Sequence, residues 1–158
     1  MARHHDDRDR VITEAVKKLV LNLSHPTIDI AITCSDFAAS LDFYHNKLGL
    51  EIVLELEIPD DLARGVGLAP TGFRQVRLQA GNTLIKLMDI ESPPPTPADE
   101  FAAGVRWLTF FVDDIHGTVE ALKQSGVEFL SDPIGAPDAV GVACAKDPDG
   151  ILVELVQI

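Results

Sequence analysis

The chain of 158 residues holds two cysteines, Cys34 and Cys144. Two are too few for a disulfide framework, and the usage fits a reducing, cytoplasmic setting with both as small buried side chains. No apolar run approaches the roughly 18–20 residues of a membrane span. Residues Met1 to Arg10 are polar and mixed in charge, without the apolar core of a secretion signal; His4 and His5 are expected in a frayed terminus. Basic residues are scarce, 13 Lys and Arg against 25 Asp and Glu, for a formal charge of −12 at pH 7. Such a surface repels phosphate backbones and anionic lipid, which argues against nucleic acid and membrane as partners. An anionic ligand then needs a local patch opposed to the global sign. Also missing are a Gly-rich phosphate loop, a serine-nucleophile elbow and a paired-cysteine metal motif. With 46% hydrophobic and 24% charged residues, what remains is a globular chain of one-domain length.

Residues 1–26 are expected to form a tail and an amphipathic helix, because Val11, Ile12, Ala15, Val16, Leu19 and Val20 recur at helical spacing. Ser24-His25-Pro26 stops that helix. From Thr27 to Thr33 the pattern alternates, placing Ile28, Ile30 and Ile32 on one face of a strand and Asp29, Ala31 and Thr33 on the other. Ser35 or Asp36 caps a helix carrying Phe37, Leu41, Tyr44 and Leu48, which ends at Gly49. Glu51 to Ile58 is a strand. Pro59 to Gly72 is a loop with one helical turn after Asp60, and Phe73 to Gln79 and Thr83 to Asp89 are strands joined by a tight turn. Residues 91–103 form a Pro-rich connector. In residues 104–158 the pattern restarts: strand Val105–Val112, helix Ile115–Gln124, then strands Val127–Leu130, Val140–Lys146 and Ile151–Gln157.

The restart is a repeat. Asp29-Ile-Ala-Ile-Thr-Cys-Ser-Asp36 lies over Trp107-Leu-Thr-Phe-Phe-Val-Asp-Asp114, and Gly49-Leu-Glu51 falls on Gly126-Val-Glu128. Residues 27–90 and 104–158 are therefore two βαβββ modules, each too small to be stable alone, in one domain. The expected class is α+β, with two curved mixed sheets enclosing a shared cavity.

Over residues 27–158 the chain resembles the vicinal oxygen chelate superfamily, the clan of glyoxalases, bleomycin-resistance proteins and extradiol dioxygenases. The likeness is carried by Ile30-Ala-Ile-Thr-Cys-Ser-Asp36, Leu41-Asp-Phe-Tyr44, Leu48-Gly-Leu50, Asp147-Pro-Asp-Gly150 and Val153-Glu-Leu155. It implies a fold rather than one activity, because the clan includes isomerases, epimerases, thiol transferases, dioxygenases and non-catalytic antibiotic binders. In its metal-using members the ligands stand on the first and fourth strands of each half, here Asp29, Lys86, Trp107 and Glu154. Trp107 cannot coordinate a divalent ion and Lys86 repels one, so no metal or other cofactor is expected. If a metal were held, Asp29 and Glu154 would be its ligands, in a metal-dependent dioxygenase or lyase with a non-standard site. The expected arrangement is Lys86 bridging Asp29 and Glu154; the same trio also fits a satisfied polar cluster without a role in binding.

Alternation adds Gln75, Arg77 and Gln79 beside Lys86, a positive patch suited to a carboxylate or phosphate. Trp107, Thr109, Phe111 and Met88 complete the candidate ligand wall. His45 and His116 are expected in solvent and His25 in a loop; a nucleophilic Cys144 would need a neighbouring base or cation, and only Lys146 is nearby. Two functions remain open. In one, Glu154 or Asp29 removes a proton beside a carbonyl while Lys86 or Arg77 stabilises the enolate, as in an isomerase, epimerase or lyase. In the other, the cavity sequesters a small molecule without turnover, as a monomer or a homodimer.

Overall fold

The computed structural model describes residue 21, residues 23–99 and residues 101–158. The leading helix expected from Val11 lies outside the described residues except for Leu21. The first module runs β1 (Ile30–Thr33), α1 (Phe37–Leu41) with a π-helical continuation (Asp42–Lys47), β2 (Glu51–Ile58), α2 (Asp60–Gly65), β3 (Phe73–Ala80) and β4 (Thr83–Asp89). The second runs β5 (Trp107–Phe111), α3 (Ile115–Gln124), β6 (Ile134–Ala136), β7 (Ala139–Lys146) and β8 (Leu152–Gln157). The sheets have matching orders, β1-β4-β3-β2 and β5-β8-β7-β6. In each, the first and last strands pair in parallel and the rest antiparallel.

The repeat extends to single residues. Asp36 caps α1 by accepting from Ala39 N at 3.0 Å, and Asp114 caps α3 by accepting from Gly117 N at 3.1 Å. Both have nearly the same extended backbone, φ −134° and −136°. A short side chain one turn before the first orphan amides satisfies one of them at each helix start. Gly49 and Gly126, the other matched pair, each turn the chain out of a helix at positive φ, 77° and 92°.

Several elements differ from the sequence reading, among them β5, which spans Trp107–Phe111 rather than Val105–Val112. β1 is shorter, leaving Ile28 69% exposed. The first helix widens after Leu41 into π turns, closed by Leu48 N to Phe43 O at 2.9 Å. Phe43 and Tyr44, consecutive in sequence, are both buried there with their rings edge to face at 5.0 Å. The strand expected at Val127–Leu130 is a single bridge, Phe129 to Ala145, and the outer strand of the second sheet is instead Ile134–Ala136. That strand follows Pro133 and has Gly135 at its centre, so neither β propensity nor alternation announces it.

Helix α1 covers one face of the first sheet and α3 one face of the second. Ile32, Leu78, Ile85 and Leu87 from the first sheet and Leu108, Ala145 and Val153 from the second share one cluster with Phe43, Tyr44 and Val127. One core therefore serves both modules, as expected of halves too small to fold alone. Two carboxylates tie the modules further. Asp147 is buried, accepts the Tyr44 hydroxyl at 2.9 Å and accepts Asp149 N and Ile151 N, each at 2.9 Å. Asp149 accepts Ser35 N at 3.2 Å, the Ser35 hydroxyl, and the Thr96 hydroxyl from the connector at 3.2 Å. Burial raises the Asp147 carboxyl above its ordinary value, and burial with the adjacent Asp147 raises the Tyr44 phenol. No described helix is long and apolar enough to cross a membrane.

Candidate functional site

Strand pairing decides which side chains share the face away from α1 and α3. Directly opposed residues point the same way, so β3–β4 pairing sets Gln75 with Met88, Arg77 with Lys86, and Gln79 with Leu84. β1 adds Ala31 beside Lys86 and Thr33 beside Met88, and β2 adds Leu54 beside Arg77 and Leu56 beside Gln75. The far face of the first sheet thus reads in rows: Leu54, Arg77, Lys86, Ala31, then Leu56, Gln75, Met88, Thr33. Arg74, one residue off this register, lies on the helix side, where its guanidinium stacks 4.8 Å above Phe37. Leu54 was missed in the sequence reading, because its place beside Arg77 follows from inter-strand register alone.

One end of this face is closed. Helix α2 sets fully buried Ala63 against Ile58, Phe73 and Met88, with Leu56 and Ala69 beside them. Met88, expected to meet ligand, is therefore part of a covered apolar cluster. Gln75 lies at the edge of that cover, only 6% exposed, and accepts from Arg77 Nε at 2.8 Å. Beyond it Lys86 Nζ is 3.1 Å from Asp29 Oδ2, with both side chains partly exposed. Asp29 also accepts Leu84 N at 3.1 Å. The Leu84 amide, first, and then the Lys86 ammonium hold the Asp29 carboxyl below its ordinary value. Gln79 turns away to the Gly81 carbonyl.

The second sheet carries the other half of the expected set. Trp107, Thr109 and Phe111 alternate along β5; Thr109 opposes Glu154 and Glu154 opposes Cys144. The Thr109 hydroxyl donates to Glu154 Oε2 at 2.6 Å. Burial, then the charge of Glu154, raise the Cys144 thiol. This face has no counterpart of α2, since only two residues separate β6 from β7. Trp107 is consequently 53% exposed and Phe111 70%.

The trio expected to meet at one point is split. Lys86 pairs with Asp29 on one sheet, Glu154 bonds Thr109 on the other, and among the described residues no ion pair joins Lys86 to Glu154. Alternation assigns a residue to a face but not two faces to one cavity, which is why the sequence suggested a single cluster. Trp107, Thr109 and Phe111 instead line a cavity of about 360 Å³ at the seam between the sheets, with Ile28, Ile30 and Thr83 across from them. Of the histidines, His25 and His116 are exposed. His45 is not in solvent as expected; it is half-buried, with Nδ1 donating to the Leu50 carbonyl at 2.7 Å.

Among the described residues no three His, Cys, Asp or Glu side chains form a cluster of metal-ligand type. One carboxylate at the clan's metal positions is already engaged by an ammonium, and a third position is an indole.

The chain is 29% identical to the Bacillus subtilis protein YwkD over 130 residues, 81% of this chain and 93% of that protein. A glyoxalase family protein from Bacillus cereus superposes with a TM-score of 0.68 at 19% identity, covering 88% of this chain and 97% of that one. TnmS3, an antibiotic binding protein from Streptomyces sp. CB03234, does so with a TM-score of 0.60 at 21% identity, covering 86% and 98%. At these identities the structural likenesses speak for the fold. The profile of the Glyoxalase/Bleomycin resistance protein/Dioxygenase superfamily matches residues 25–155, and the chain belongs to that superfamily.

Proposed function

We propose that the protein binds a small anionic or aromatic metabolite on the sheet faces away from α1 and α3, without a metal ion and without turning it over. The observation that carries this reading is the Lys86–Asp29 ion pair, 3.1 Å apart, where metal-using relatives of the clan place ligands. Asp29 is a poor general base, because the Leu84 amide and Lys86 stabilise its ionised form. The half-exposed Trp107 offers a flat apolar surface for stacking, and an antibiotic-binding protein with this fold supports the binding class. A thermal-shift panel of small carboxylates and aromatic antibiotics, with and without EDTA, tests the proposal. Saturable stabilisation unaffected by EDTA is expected; stabilisation that appears only on adding zinc, nickel, iron or manganese overturns it.

One observation favours an enzymatic second reading. Glu154 is a partly exposed carboxylate set between Thr109 and Cys144 and oriented by the Thr109 hydroxyl, and it would remove a proton beside a carbonyl as isomerases and lyases of the clan require. Solvent deuterium entering a bound ligand, and ceasing to enter it in Glu154→Gln, would establish that reading.

The faces themselves suggest how the two halves of the site meet. A second copy laid face to face would bring its carboxylate-bearing second sheet against Arg77 and Lys86 of the first, covering Trp107 and Phe111. We infer a homodimer closed in this way, on the apolar area that Trp107 and Phe111 leave bare.

A further inference from the structure

The Arg77–Lys86 row contains two cations, and the structure distinguishes them. Resting on the reading that the first sheet's far face takes an anion, we propose that Arg77 grips a carboxylate of the ligand, with Gln75 as its positioning residue, and that Lys86 is not the anchor.

A guanidinium carries five donors in a planar fork. Arg77 commits Nε to the Gln75 amide oxygen at 2.8 Å, and among the described residues no hydrogen bond or ion pair occupies Nη1 or Nη2. Fixing Nε sets the plane of the fork while leaving its outer edge to an incoming pair of oxygens, the geometry of a bidentate carboxylate contact. Gln75 suits the task because it is itself held: it is nearly fully buried, between Leu56 and Met88 at the rim of the cover made by α2. The orientation of Arg77 is thus set by the covered end of the sheet rather than by solvent.

Lys86 differs in both respects. Its charge is answered by Asp29 at 3.1 Å, and Asp29 stays ionised because its carboxyl is held below the ordinary value by the Leu84 amide and by Lys86 itself. Lys86 and Asp29 cancel, so the row keeps one net positive charge, on Arg77. One charge and a flat fork match a monoanionic, planar carboxylate better than a dianionic phosphate. Leu54, 46% exposed and directly opposite Arg77, provides apolar surface for the body of such a ligand.

The test uses three probes of nearly equal size, benzoate, neutral benzamide and phenyl phosphate, titrated into the full chain and followed by the Arg Nε and backbone amide NMR signals. Wild type is expected to bind benzoate about tenfold more tightly than benzamide, with phenyl phosphate weaker than benzoate. Arg77→Lys keeps the charge but loses the fork, and is expected to abolish the benzoate preference while leaving benzamide affinity unchanged. Gln75→Leu, close in volume and apolar, is expected to lower benzoate affinity about threefold to tenfold, again sparing benzamide, which a merely structural role would not do. Unchanged benzoate binding in Arg77→Lys overturns the anchor alone. Tighter binding of phenyl phosphate than of benzoate overturns the carboxylate assignment. Benzamide binding without benzoate binding overturns the anchor and leaves small-molecule binding standing. No response to any probe overturns both the anchor and the reading it rests on.

Discussion

At the scale of single residues, the junction of the modules turns on Asp147. Its carboxylate is buried yet fully occupied by the Tyr44 hydroxyl and two backbone amides. Removing one donor leaves the others in place and the charge less compensated, so Tyr44→Phe is expected to cost about 1–3 kcal/mol in chemical unfolding. The sign of the pH dependence follows from the raised carboxyl. A folded value above the unfolded 3.8 means the folded state holds its proton more tightly. This group's contribution therefore favours the fold at low pH and declines as pH rises from 3.8 through the raised folded value. Asp147→Asn is expected to remove that part of the slope in unfolding measured from pH 4 upward; an unchanged slope would show that the group is not buried in its charged form. Asp29 acts in the opposite direction, its support being present above 3.8 and lost as pH falls through its lowered value. Alternation identified Asp29, Arg77 and Lys86 as sharing one face, because side-chain direction has period two. It was silent on Leu54 and on the distance from Lys86 to Glu154, since both depend on how strands and sheets are set side by side.

At the scale of elements, α2 gives the two halves different surfaces. The loop from Pro59 to Gly72 was legible from its glycines and prolines, and its helical turn from Asp60 at the start, which now accepts Gly72 N at 2.8 Å. What it covers was not legible, because of the loop only Ala63 and Ala69 join the apolar cluster on the sheet. Gly72 closes the loop where no side chain fits: an added β-carbon would lie 2.8 Å from Ile58 O and 2.9 Å from Asp60 N. Both are backbone atoms that yield only by moving the loop. Gly72→Ala is therefore expected to cost about 1–3 kcal/mol and to speed amide exchange across Asp60–Gly65, read by hydrogen–deuterium exchange. Exchange as slow as in wild type would mean that α2 is held by other contacts. The missed strand at Ile134–Ala136 is the converse case: three residues around a glycine form a strand because β7 offers an edge, not because their own sequence asks for it.

At the scale of the whole molecule, the internal repeat was the most legible feature, since matched aspartates and glycines mark matched helix ends. The acidic excess is spread over the chain, whereas Arg77 and Lys86 fall on one sheet face and Glu154 on its counterpart. If a second copy unites those faces, Phe111→Asp should convert a dimer to a monomer in sedimentation equilibrium, by placing a carboxylate in the bare apolar face. A wild-type chain that is monomeric at micromolar concentration would contradict the face-to-face arrangement. On the proposed reading, an ammonium–carboxylate pair stands in the clan's metal position and binding proceeds without an ion. Elemental analysis of the protein purified without chelator tests it most directly: the predicted result is a divalent-metal content far below one equivalent per chain, and a stoichiometric equivalent of zinc, nickel, iron or manganese would contradict it.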